Sequence, residues 1–190
     1  MNEKKLILIQ TALPLFYTHG INSVGINEIL KQSGIAKKTL YNHFSSKDDL
    51  VLATLKYRNN TFNQWFKVVL DSELTGQKSI LAMFYRLDEW FNNEVPELNQ
   101  FRGCFFINAM AEYSVTDSPI RQYCRAHKQE IRSLIKNKIS LFIQDPEEAN
   151  TLTDIIFMLK EGAIVSALVE GNHKAGKACI PAVKKLLNLN

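Results

Sequence analysis

The chain has 190 residues, of which 46% are hydrophobic and 22% charged, and its formal net charge is +4. That composition excludes a disordered or low-complexity chain and suits a globular protein with one large core or two small coupled ones. A charge of +4 permits nucleic-acid binding without arguing for it, but its distribution is informative. Between Lys31 and Lys47 stand four lysines and no carboxylate, so that surface is expected to be locally positive. Cys104, Cys124 and Cys179 are widely spaced and odd in number; they fit no disulfide framework or zinc pattern and suit a reducing compartment. Nothing approaches the roughly 20 apolar residues of a spanning helix. The stretch after Lys4-Lys5 reads as a helix face rather than a signal peptide. A cytoplasmic location with no membrane partner is expected.

Taken in order, the spacing predicts helices separated by short breakers. The first covers about 3–18, with Leu6, Ile9, Leu13 and Phe16 on one face, Pro14 as a site of bending and Gly20 as a left-handed stop. A second begins near Ser23 or Gly25, buries Ile26, Ile29 and Leu30, and ends at Ser33-Gly34. The third spans about 37–43. Ser46 caps a fourth, with Asp49 three residues on, and it continues toward Val69. Gly76 opens a fifth that ends before Pro96. A sixth covers about 103–113, a seventh starts at Pro119 and reaches Phe142, and an eighth covers about 147–170. Pro181 starts or kinks the last. No two-residue alternation is long enough to force a sheet, so the fold class is all-α.

The N-terminal helices carry the most specific pattern. Leu13, Phe16, Ile26, Ile29, Leu40 and Phe44 can form a three-helix core, and Gly34 permits the tight turn between helices two and three. The third helix is barely two turns long and must be held by that core. It offers Lys37, Lys38, Thr39, Tyr41, Asn42 and His43 on its open face. Lysine and tyrosine suit phosphates, whereas Thr39 and Asn42 are short enough to reach base edges. Lys47 adds a cation at the start of the fourth helix, where a phosphate fits. A solvated cationic face is the plain alternative.

The run Phe16…Gly20, Val24-Gly25-Ile26-Asn27-Glu28-Ile29-Leu30, Ser33-Gly34-Ile35-Ala36-Lys37-Lys38-Thr39-Leu40-Tyr41-Asn42-His43-Phe44, Ser46-Lys47-Asp48-Asp49-Leu50 closely resembles the tetracycline-repressor (TetR) family of bacterial regulators. The likeness covers about residues 5–52. It implies a helix-turn-helix DNA-binding domain at 1–47 and a helical regulatory and dimerisation domain at 48–190. It also implies double-stranded DNA with a palindromic operator as partner, a homodimer and a small-molecule effector. Thr39 and Tyr41 would take the family's base- and backbone-contacting positions, and Lys47 its phosphate-binding lysine. Ala36 stands where the family often has a Ser or Thr cap, and Lys38 where Gly is frequent; both bear on operator sequence and leave the fold unchanged.

In the remainder, Phe84, Phe105, Asn108, Tyr123 and Phe157 are candidate effector-binding residues. They fit a filled core equally well, and the Asn108 amide can be satisfied by a ligand or by a neighbouring carbonyl. His127 lies in an apolar register and reads more readily as a core histidine than as a ligand contact. Cys104 is the candidate for thiol or electrophile sensing, although a Cys beside Phe-Phe-Ile is usually inert. Small residues at helical spacing, Gly162, Ala163, Ser166 and Ala167 beside Leu159, suit either a dimer seam or an intrachain contact. No phosphate loop, metal-ligand cluster or nucleophile–base pair points to an enzyme, and neither cofactor nor metal is expected. The expectation is a ligand-responsive DNA-binding regulator, most often a repressor. A thiol sensor acting through Cys104 and a helical adaptor without DNA binding are the alternatives.

Overall fold

The computed structural model describes residues 2–113 and 117–189. These residues form nine α-helices, one short 3-10 turn at Pro96–Leu98, and no strand. In chain order they are α1 (Glu3–His19), α2 (Ile26–Ser33), α3 (Lys37–His43), α4 (Lys47–Asp71), α5 (Gly76–Phe91), α6 (Phe105–Glu112), α7 (Pro119–Ile139), α8 (Pro146–Val169) and α9 (Ala175–Leu186). The fold is all-α. Contacts divide it into two compact units: Met1–Asn60 with Cys104–His127, and Thr61–Gly103 with Lys128–Asn190. Among the described residues no helix is long and apolar enough to cross a membrane.

In the first unit, α1 packs on α2 and α3. Leu8, Leu13, Phe16, Ile29, Leu40 and Phe44 are buried, whereas Leu6, Ile26 and Leu30 are only half-buried. The Asn2 side chain accepts from Lys4 N–H at 3.0 Å and caps α1, which runs on through Pro14. Gly20 closes α1 with φ 85° and ψ 150°, not the left-handed geometry expected. That region is open essentially to glycine alone. At the start of α4 the Ser46 hydroxyl accepts from Asp49 N–H at 3.1 Å. The Asp49 carboxylate reaches back one residue further, to Ser45 N–H at 3.0 Å.

In the second unit, α9 packs against both α5 and α8. Phe62 and Trp65 of α4 meet Trp90 of α5 in a ring cluster that Phe66, Phe91 and Phe101 extend, with neighbouring centroids between 4.9 and 6.3 Å apart. Such aromatic packing contributes beyond the area it buries. Cation pairing is dense here. Lys138 bonds Asp71 at 2.6 Å, Lys128 bonds Glu161 at 2.6 Å, and the buried Lys160 also bonds Glu161. Burial alone would raise the Glu161 carboxyl, but the charges of Lys160 and Lys128 outweigh it and hold it below its ordinary value.

Two helix boundaries differ from expectation, and a third is narrowed. Gly103 has φ 80°, so α6 begins at Phe105 and not at Gly103. The seventh helix stops at Ile139, where Phe142 N–H turns back to the Ile139 carbonyl at 3.0 Å. Of the two roles left open for Pro181, starting the last helix or kinking it, the first is not taken, since it lies inside α9. The reason is a distant carboxylate. Asp88 of α5, 3% exposed, accepts from Gly176 N–H at 2.7 Å and Lys177 N–H at 3.2 Å. It thereby serves amides that Lys174, the residue before α9, leaves uncapped. The approach is close: a Cβ added to Gly176 would stand 2.2 Å from the Phe84 carbonyl oxygen.

Replacing Asp88 by Ala should strand one buried and one part-buried amide and destabilise the protein by roughly 1–3 kcal/mol. Denaturant titration should show a lower midpoint with little change in slope.

Candidate nucleic-acid interface

The α2–α3 turn is built on Gly34, at φ 69° and ψ 8°, whose N–H closes on the Leu30 carbonyl at 3.0 Å. A side chain there would be strained. Ser33 reinforces the turn, its hydroxyl accepting from Ile35 N–H at 3.3 Å. At the start of α3, Ala36 offers no side-chain cap; only its carbonyl accepts, from Leu40 N–H at 3.2 Å. Burial supplies what capping does not. Leu40 is 0% exposed and Phe44 3%.

With Leu40 and Phe44 inward, the other face of α3 is presented to solvent. Lys37, Lys38, Tyr41 and Asn42 are exposed, while Thr39 and His43 are half-buried. The His43 ring lies edge-on to Phe44, with centroids 6.5 Å apart. Lys47 is half-buried and holds its Nζ 5.9 Å above the Phe16 ring. Among the described residues, none of Lys4, Lys5, Lys31, Lys37, Lys38 and Lys47 takes part in an ion pair. The acids that follow Lys47 are occupied, Asp49 by Ser45 N–H and Asp48 by the Tyr113 hydroxyl at 2.8 Å. A surface with uncompensated lysines can neutralise phosphates without first breaking internal pairs.

The C-terminal end of α6 is fastened to this head within the same unit. The Glu112 carboxylate accepts from Ile21 N–H at 2.7 Å and Asn22 N–H at 2.6 Å, in the turn between α1 and α2. A Cβ at Gly20 would meet Glu112 Oε1 at 3.4 Å, an ordinary contact, so the positive φ and not the space is what calls for glycine there. Tyr113 donates to Asp48 at the start of α4, and burial together with that bond pushes its phenol well above the ordinary value. Arg121 donates to the Tyr113 carbonyl at 2.6 Å and to the Met110 carbonyl at 3.4 Å, closing the exposed end of α6.

The candidate effector residues fall in both units. Phe105, half-buried Asn108 and half-buried Tyr123 belong to the first. Phe105 meets Tyr17 edge-on at 5.8 Å, and Lys56 Nζ lies 6.0 Å from the Tyr123 ring. Phe84 and Phe157 belong to the second. Phe157 is flanked by the Arg132 guanidinium at 4.5 Å and Lys160 Nζ at 5.2 Å. Cys104 is 7% exposed and immediately precedes α6. His127 is a core histidine, its Nδ1 2.5 Å from Asn59 Oδ1 and its ring stacked on Phe106 at 3.5 Å. Sequence reading missed Arg58, 2% exposed with its guanidinium 5.3 Å from the Tyr17 ring. Burial lowers its pKa, with Tyr17 and Cys104 acting the other way. Its neighbours Lys56, Tyr57 and Asn59 are polar or amphipathic, which disguised it as part of a solvated face.

On α8, Ala163 and Ala167 are buried within the chain, Leu159 and Ser166 are half-buried, and Gly162 is exposed. Met158, Val165 and Val169 are exposed by 60%, 48% and 75% and share a stripe with Gly162. Met158 and Val169 were not singled out from sequence, although the three- and four-residue spacing of the stripe carries the signal. Beside the stripe runs a groove of about 420 Å³ between α8 and α9.

Glu112→Ala should release the Ile21 and Asn22 amides, destabilise the first unit by about 1–3 kcal/mol, and speed hydrogen exchange at those two amides.

Residues 8–54 match the family model described as bacterial regulatory proteins, tetR family. Residues 79–175 match the transcriptional regulator LmrA/YxaF-like C-terminal domain. The chain is 36% identical over 88 residues to the uncharacterized HTH-type transcriptional regulator YuxN of Bacillus subtilis, a match covering 45% of this chain and 30% of that protein. It is 23% identical over 182 residues to the HTH-type transcriptional regulator LmrA of the same organism, covering 94% of this chain and 95% of that one. The structure of SCO4454, a TetR-family transcriptional regulator from Streptomyces coelicolor, superposes with a TM-score of 0.86 at 26% identity, over 98% of this chain and 89% of that one. The chain belongs to the TetR family of helix-turn-helix, DNA-binding transcriptional regulators.

Proposed function

We propose that this protein is a cytoplasmic, ligand-responsive repressor that binds a palindromic operator as a homodimer. The observation that carries this reading is the open face of α3, where exposed Lys37, Lys38, Tyr41 and Asn42 stand over buried Leu40 with no ion pair drawing the lysines away. In the proposed division of labour, residues 1–47 read DNA and residues 48–190 dimerise and sense. Thr39 and Asn42 read base edges; Lys37, Lys38, Tyr41, His43 and Lys47 hold the backbone. Two recognition helices must reach half-sites about 34 Å apart, so a small change in their separation costs affinity.

The dimer seam is assigned to α8 and α9, through Leu159, Gly162, Ala163, Ser166 and Ala167. The exposed stripe of Met158, Val165 and Val169 supports this, because an apolar stripe of that kind favours burial. Phe84, Phe105, Asn108, Tyr123 and Phe157 are proposed to contact the effector. Two of them, Phe105 and Asn108, sit on α6, whose last residue Glu112 holds the α1–α2 turn. A ligand that moves α6 therefore has a hydrogen-bonded route to the head. Its affinity must differ between the DNA-bound and DNA-free forms, and the coupling is reciprocal. The thiol-sensor reading through Cys104 has less support, since that side chain is buried. The adaptor reading has less still, because the cations of α3 are retained.

Lys47→Ala should weaken binding to specific and random duplexes alike, whereas Thr39→Ala should chiefly erode discrimination. Titrations at several salt concentrations would measure both, and an affinity independent of salt on every duplex would contradict the assignment.

Val165→Glu adds a charge at a position exposed in the single chain, so the subunit should fold normally and sediment as a monomer. A dimer that persists at nanomolar concentration would place the seam elsewhere.

A further inference from the structure

Two of the six lysines in the head differ from the rest. Lys4, Lys31, Lys37 and Lys38 are exposed, but Lys5 and Lys47 are half-buried. Each of these two rests its ammonium over an aromatic ring of the head's core, Lys5 at 5.3 Å from the Phe44 centroid and Lys47 at 5.9 Å from the Phe16 centroid. Phe44 closes α3, its N–H bonding the Leu40 carbonyl at 2.9 Å. The Lys5 cation is therefore held at the C-terminal end of α3, whereas Lys37 and Lys38 occupy its beginning.

We propose that Lys5, on the first turn of α1, is a phosphate-binding residue of the head that takes the DNA backbone beyond the C-terminal end of the recognition helix. This rests on the assignment of α3 to the duplex. Contact with the ring restricts a flexible four-carbon stem before DNA arrives, so less freedom is lost when a phosphate is engaged. No acid competes. Lys5 takes part in no ion pair among the described residues, Asp49 is held by Ser45 N–H and Asp48 by Tyr113. The contact is to the backbone alone and carries no sequence information.

A structural role is the competing account: a cation near the last carbonyls of α3 also complements the helix dipole. Salt dependence separates the two. Full-length Lys5→Gln is titrated with a random-sequence duplex and with a duplex selected by the wild-type protein from a random pool, over a series of salt concentrations. The log–log salt slope should fall by about 0.9 per subunit, about 1.8 for a dimer. Affinity should drop by the same factor on both duplexes. Lys5→Arg should retain the wild-type slope, and Lys78→Gln, which removes an exposed lysine of α5, should leave it unchanged. An unchanged slope for Lys5→Gln overturns the proposal, whether or not its melting temperature falls. Failure of the wild-type protein to bind either duplex would instead overturn the assignment of α3, and this proposal with it.

Discussion

A helix of seven residues cannot hold itself in water, because nucleation costs more than so few hydrogen bonds return. Presentation of the α3 surface therefore depends on burying Leu40 and Phe44 against α1 and α2. The missing side-chain cap at Ala36 makes that dependence stronger. Phe16 and Phe44 do double service, filling the core while their ring faces receive Lys47 and Lys5. Cationic surface and apolar core are thus two sides of the same few residues.

The two units treat charge differently. In the second, Lys128, Lys138 and Lys160 are committed to carboxylates. In the first, the carboxylates of Asp48, Asp49 and Glu112 serve backbone amides and a phenol, and none of Lys4, Lys5, Lys31, Lys37, Lys38 and Lys47 enters an ion pair among the described residues. A net charge of +4 conceals this contrast. What matters for nucleic acid is which cations are uncommitted, not how many the chain carries.

Helices, the all-α class and the α2–α3 turn were legible in the sequence because they follow from local rules: apolar spacing, Gly34 at a left-handed position, and Ser46 at a cap. The exposed positions of Lys37, Lys38, Tyr41 and Asn42 follow from the same spacing once Leu40 and Phe44 face inward. What could not be read depends on partners far apart in the chain. Asp88 sets the start of α9 from 88 residues away, and Glu112 holds the turn at Ile21 from 91 residues away. Pro181 left two roles open, starting the last helix or kinking it, and the choice turned on the remote carboxylate that meets the first amides of α9. Arg58 was hidden among polar neighbours, and the α6 boundary turned on the positive φ of Gly103.

The bare backbone at Gly176 also has a mechanical meaning. With an added Cβ only 2.2 Å from the Phe84 carbonyl oxygen and 2.6 Å from Asp88 Oδ1, α9 meets α5 at a spacing that no residue with a side chain tolerates. Gly176 is the one glycine in α9, so a slip of one turn would drive a Cβ into that carbonyl. The joint behaves as a pawl, resisting shear between α5 and α9 while the carboxylate hooks prevent them from parting. Any rearrangement within the second unit must therefore carry these two helices as a single lever.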